Sequence, residues 1–208
     1  TSRGTISAQV AVNLQLGKNA PKNSSTYAVG AELTNFGADK LLLGQKIEAA
    51  SLKVNASNDG YLIKGDVKVN GTTANIDLRR KKGAAAADLI LKANIDEAAR
   101  RKLGIDFGGA VVGTIPVKVT GTIGDNVKDE RMSVEADLTP VKIDNLLPGW
   151  VKPAGKAAHA TYTLVQNGKD SRFDDFNIEG AGVTVKGSID LDGGALQSAN
   201  FPVFKLSD

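Results

Sequence analysis

The chain has 208 residues, 41% of them hydrophobic but only 5% aromatic, and its formal net charge is +3. That length allows one sizeable core built mainly of aliphatic side chains, and so mild a charge makes no case for nucleic acid. It has no cysteine, which excludes disulfides, Cys-ligated zinc and thiol catalysis.

From the first residues the pattern has period two, the signature of strands with one dry face. Ile6, Ala8, Val10, Val12, Leu14 and Leu16 alternate with Thr5, Ser7, Gln9, Ala11, Asn13 and Gln15. Tyr27, Val29, Ala31 and Leu33 follow. Next come Tyr61, Ile63, Val67 and Val69, with Lys64, Asp66 and Lys68 between them. Asn70-Gly71 is a hairpin turn signal. Beyond it, Ala74, Ile76 and Leu78 interleave with Asn75, Asp77 and Arg79. Later strands carry Leu89 and Leu91; Ile115, Val117, Val119 and Ile123; Met132, Val134, Ala136 and Leu138; and Ala160, Tyr162 and Leu164. The last ones carry Phe176 and Ile178; Val183, Val185, Ile189 and Leu191; and a less regular stretch over 201–206. Turn-rich pieces at 58–60, 124–126, 167–170 and 192–194 separate them. No apolar run approaches the ~20 residues that span a bilayer.

Residues 94–103 read as a helix. Asn94 stands as N-cap with Glu97 three residues on, and Ile95, Ala98, Ala99 and Leu103 form a stripe. Arg100, Arg101 and Lys102 suit the last turn, and Gly104 is the stop. A weaker helix is expected over 141–147, ended by Pro148-Gly149. A shift of 45 residues, from 89 to 134, superposes the two helical pieces and their flanking strands. An internal repeat is therefore expected over about 89–123 and 134–168.

Ten or more strands with one apolar face need a cover. The good helix is only about nine residues, roughly 14 Å long, and cannot supply it. The face must pack on a second sheet, curl on itself or meet an apolar ligand. The expected fold is mostly β, a long antiparallel meander with one or two short helices; periodicity alone favours a β-sandwich core, and a meander curled into an open groove or partial barrel is the other solution.

Two C-terminal stretches carry a resemblance: 133–155 (SVEADLTPVKIDNLLPGWVKPAG) and 173–192 (FDDFNIEGAGVTVKGSIDLD), followed by 194–208 (GALQSANFPVFKLSD). Upstream, 60–71 (GYLIKGDVKVNG) and 103–108 (LGIDFG) share the style. Together they resemble the AsmA-like family of bacterial envelope proteins, in its large YhdP- and TamB-related, alphaproteobacterial form. Over most of the chain the likeness rests on turns and strand patterns rather than chemistry. The resemblance implies one β-groove segment over 1–208, a fragment of a longer chain. It implies a periplasmic place, with an inner-membrane anchor outside this fragment. The implied role is phospholipid transport between inner and outer membrane. The implied partners are phospholipid acyl chains and neighbouring β-groove segments of the same chain, with no cofactor and no catalytic residues. The other reading is a structural or scaffolding β-sandwich module of the envelope with no lipid cargo.

On that reading the groove is lined by Val10, Val12, Leu14, Val67, Val69, Ile76, Leu89, Leu91, Val117, Val119, Val134, Ala136, Tyr162, Leu164, Val183, Val185 and Ile189. Arg79, Arg80, Lys81 and Lys82 form the one basic run, read either as a solvated turn or as a contact for lipid phosphates at the groove lip. His159 is the only histidine; it lacks the company that a zinc site or a triad needs and reads as a solvent-facing strand residue. Asp190 to Gly194 lacks the Glu of a calcium loop and reads as a hairpin. Gly180-Ala181-Gly182 has no following helix to hold an anion. Trp150, between Pro148 and Pro153, reads as a loop anchor or as a plug at a groove end. An enzyme would need a carboxylate pair across a cleft, and periodicity does not place Asp174, Asp175 and Asp190.

Overall fold

The computed structural model describes residues 2–15, 25–42, 45–102, 107–124, 130–167, 170–193 and 195–206. One antiparallel sheet of 12 strands dominates it, and the sheet is not closed into a barrel. Its first half is β1 (Ser2–Asn13), β2 (Thr26–Leu42), β3 (Gln45–Ser57), β4 (Gly60–Val69), β5 (Thr72–Lys81) and β6 (Ala87–Ile95). An excursion follows, with the short helix α1 (Glu97–Lys102) and β7 (Val111–Val112). The sheet resumes with β8 (Ile115–Ile123) and β9 (Glu130–Asp137). A second excursion holds β10 (Lys142–Asp144) and β11 (Val151–Lys152). The sheet ends with β12 (Ala158–Asn167), β13 (Asp170–Gly180), β14 (Val183–Asp192) and β15 (Ala195–Leu206). Strand order in the sheet is sequence order, which leaves β1 and β15 as its edges.

Local chemistry explains the joints. Asn70 and Gly71 both take positive φ, 47° and 79°, as the tight I′ turn between β4 and β5 requires. Ala181 (φ 52°) and Gly182 (φ 79°) turn β13 into β14, so the Gly-Ala-Gly stretch is a hairpin. Register shifts interrupt six of the ladders, including those at Phe173/Phe176 and Glu48/Leu52. Such bulges bend a strand and strengthen its twist.

Three expectations are corrected. Helix α1 starts at Glu97, not Asn94: Asn94 and Ile95 still belong to β6, opposite Pro116 and Ile115. The cap is Asp96, whose carboxylate accepts from the Ala99 amide at 2.7 Å. Residues 141–147 are not helical; Lys142–Asp144 pair as β10 with β7 and β11. The first strand ends at Asn13 and not at Leu16, which lies outside the described residues, as do Leu103 and Gly104.

Two cores sit on the apolar face. One joins Ile47, Leu52, Val67, Ile76, Leu89, Leu91 and Met132, and every member belongs to the large sheet. Among the described residues no other layer covers it, yet Val67, Leu89 and Met132 are each only 1% exposed. One face of a flat single sheet would stay half wet, so burial this deep requires the sheet to curl over its own apolar side. The second core adds a lid. The two excursions leave the sheet at the same end, between β6 and β8 and between β9 and β12, and join as a small sheet in the order β11-β10-β7. Their Val111, Val141, Ile143 and Trp150 pack with Ile115, Ala158, Ile178, Val183 and Val185.

Gly121 shows how closely neighbouring strands pack, since Met132 is its direct cross-strand partner. A Cβ there would lie 2.2 Å from Met132 Sδ and 2.9 Å from the Arg131 carbonyl oxygen. Gly121→Val is expected to cost about 1–3 kcal/mol through overpacking. A lowered urea midpoint at unchanged slope checks this, and an unchanged midpoint would contradict it.

Candidate functional site

The register makes the apolar face continuous. Directly opposed residues run Ala8, Ala31, Val54, Ile63, Leu78, Leu89, Gly121, Met132, Leu164, Phe173, Ile189 and Ala199. This rung crosses the whole sheet, from one edge to the other, without a polar side chain. A parallel rung from β4 to β15 runs Val67, Ala74, Ala93, Val117, Ala136, Ala160, Ile178, Val185 and Phe204. Strands lie about 4.8 Å apart, so the longer rung is a dry path of roughly 50 Å across the strands. An aromatic row adds to it. The rings of Tyr162 and Phe173 stack at 4.7 Å, and Phe176 lies 6.2 Å from Tyr162 and 5.9 Å from Phe201. Burial pushes the Tyr162 hydroxyl above its ordinary titration range.

The opposite face is polar and pairs with itself. Lys64 meets Asp77 at 2.9 Å and Lys118 meets Glu135 at 3.3 Å. Asp174 takes Arg172 at 2.6 Å and Arg131 at 3.4 Å. These bonds hold the Asp174 carboxyl below the usual range, Arg172 contributing most. His159 is exposed here, between Asp137 and Glu179 on neighbouring strands. A depression of about 940 Å³ is bounded by polar-face residues such as Asp66, Asn75, Lys92, Lys118, Glu135 and His159. Among the described residues no cluster of His, Asp and Glu is arranged to hold a metal.

The positions expected to line a groove share the apolar face but differ in access. Val10, Val12 and Leu14 are 62%, 59% and 59% exposed at the first edge. Val69, Val117, Val119, Ala136, Tyr162, Leu164 and Ile189 are half-buried. Val67, Ile76, Leu89, Leu91 and Val134 are packed into the curl, and Val183 and Val185 lie under the small sheet. The basic run divides. Arg79, Lys81 and Lys82 are exposed at the strand ends opposite the small sheet. Arg80 lies on the apolar side, where its Nε donates to the Ala84 carbonyl at 2.9 Å.

Two buried cations hold the lid, and the sequence pattern did not single out either role. Arg100 is 3% exposed; its guanidinium donates to the carbonyls of Ile95, Gly113 and Val111 at 3.2, 2.9 and 2.9 Å. It ties helix, strand and loop together rather than resting in the last turn as a dipole partner. Lys152 is fully buried, and its ammonium donates to the carbonyls of Val141, Pro153 and Thr139 at 2.7, 3.1 and 3.3 Å. All three of its protons have acceptors. Trp150, 2% exposed, donates its Nε1 proton to the Ala181 carbonyl at 3.1 Å and so fastens the lid to the β13–β14 turn. No family model, no curated protein and no solved structure matches the chain.

Burial pushes the Lys152 ammonium below its ordinary range, against the pull of Asp137. Between that lowered value and 10.5 the unfolded chain binds more protons, so Lys152 makes stability rise with pH there. Lys152→Met is expected to remove that rise. At neutral pH it leaves three carbonyls without a donor, a loss of about 1–3 kcal/mol. Denaturant titrations at neutral and alkaline pH test both; equal stability of the two proteins throughout would refute the role.

Proposed function

We propose that this chain is a lipid-conducting β-groove segment of the cell envelope, an AsmA-like module that carries phospholipid acyl chains across the periplasm between inner and outer membrane. The observation that supports it most is the apolar rung that crosses every strand of the large sheet without a polar side chain. Each methylene kept from water is worth about 0.8 kcal/mol, so a sixteen-carbon chain needs on the order of 12 kcal/mol of shielding outside a bilayer. A dry surface supplies that without recognising a head group. The path crosses the strands and reaches both sheet edges, β1 and β15. The strand ends are its lips, one overlaid by the small sheet and the other carrying Arg79, Lys81 and Lys82, which suit lipid phosphates.

A scaffolding module with no cargo is the second reading. It is favoured by Leu89 and Met132, whose near-complete burial leaves the middle of the face covered by its own neighbours. Lipid must then travel over the half-buried walls rather than the floor.

Mass spectrometry of an organic extract from the purified chain is expected to release phospholipid. A photo-crosslinking residue at Val117, half-buried on the apolar face, is expected to label lipid several-fold more than one at Lys118, its neighbour on the polar face. Equal labelling together with a lipid-free extract would leave the scaffolding reading.

A further inference from the structure

Along β12, β13 and β14 the apolar face is dry at one end and half-open at the other. Nearest the small sheet, Ala158, Ala160, Ile178, Val183 and Val185 are buried. Further along the same strands, Tyr162, Leu164, Phe173, Ile189 and Leu191 are only half-buried. Register makes the boundary a line across the three strands. Ala160, Ile178 and Val185 oppose one another on the covered side, and Leu164, Phe173 and Ile189 do so on the other. Phe176, half-buried against the cluster under the small sheet, stands between the two rows.

The two ends of these strands differ in chemistry as well. The lid turns Val111, Val141, Ile143 and Trp150 toward the sheet. Its polar groups are already spent: every proton of the Lys152 ammonium and the indole proton of Trp150 have carbonyl acceptors. An anionic or zwitterionic head group would find no partner there. At the other end Asp170, Arg172 and Asp192 are exposed, so a head group there stays in water among charges of both signs. The distance between the ends also suits a lipid. Six residue steps separate Val185 from Leu191, about 20 Å of strand, and one leaflet of a bilayer core is about 15 Å deep.

We propose that the small sheet is a stop for the acyl chain. The lipid lies with its chain along β12 to β14, its chain end against Phe176 and the covered row, and its head group in water beyond Leu191. The lid thereby sets the direction of every lipid on the face and an upper length for its chain. Movement along the dry path is then sideways, from strand to strand, without turning the molecule over. This rests on the groove reading and adds to it a direction and a length limit.

The test uses the purified chain and phosphatidylglycerol vesicles doped with a phospholipid that carries one diazirine, either beside the acyl carbonyl or at the chain end. The chain-end probe is expected to label residues 176–185 several-fold more than Leu164 and residues 189–191, and the carbonyl-side probe to do the reverse. Equal labelling of both regions by both probes would overturn the stop and leave the groove reading standing. No labelling by either probe would overturn both. Monomeric lysophospholipids give a second measurement. Their affinity from water is expected to rise about fourfold per methylene and to level off once the chain end meets the lid. A rise that continued unchanged to chains well beyond bilayer length would contradict the stop. In Trp150→Ala, checked for folding by circular dichroism, the levelling-off is expected to move to longer chains, and an unmoved plateau would contradict the lid as its cause. If this variant does not fold, the labelling pattern decides.

Discussion

Everything in this fold answers to one constraint: a wide sheet has a dry face and almost nothing to lay over it. The only helix among the described residues has six residues and packs at one end. Curling is the remaining way to take Leu89, Val67 and Met132 out of water. The bulges and the wealth of small aliphatics suit that need, since each lets the sheet bend or lets facing side chains approach. The edges cannot share in the curl, and it is there that Ile6, Val10 and Leu196 stay wet.

The lid solves the problem differently. Its two excursions are loop-rich, and loops that turn inward bring backbone carbonyls with them. Lys152 and Arg100 meet those carbonyls with six hydrogen bonds between them. Among the described residues neither cation forms an ion pair with a carboxylate; their charge is stabilised by peptide dipoles converging on it. A buried charge is costly unless it is fully hydrogen-bonded, and Lys152 has an acceptor for every proton. The lid is thus specified by two side chains that look, in a string of letters, like ordinary surface cations.

That contrast marks what was legible in the sequence. Period-two alternation placed most of the strands, though not β3, and assigned their side chains to a face, because a half-buried sheet writes its geometry directly into the order of residues. Asn70-Gly71 declared its turn for the same reason. The antiparallel meander followed from the pattern, but periodicity alone favoured a sandwich core, and it was the resemblance that favoured a single open sheet. What the pattern misread lay in the excursions. The capping-box spacing at Asn94 was outweighed by pairing of Asn94 and Ile95 with β8, which moved the cap to Asp96. The stretch 141–147 has apolar residues at helical spacing, but Val141 and Ile143 are drawn into a small sheet by partners distant in sequence. The opposed residues of the long rung belong to strands far apart in the chain, so its continuity emerges only once register is known.

Every strand of the large sheet bonds only to the sheet strands that come before and after it in the chain. The ladder is therefore nearly one-dimensional: each new strand closes a short loop onto one already in place, and the two longest loops are those that build the lid. Most of its pairings are local hairpins, which lowers contact order below that of Greek-key β-proteins of similar size and suits assembly by zipping from many starting points. Such a topology has no keystone strand. It can be lengthened or shortened by whole hairpins, and the antiparallel alternation survives each change, so the width of such a sheet is free to vary without a new plan of pairing.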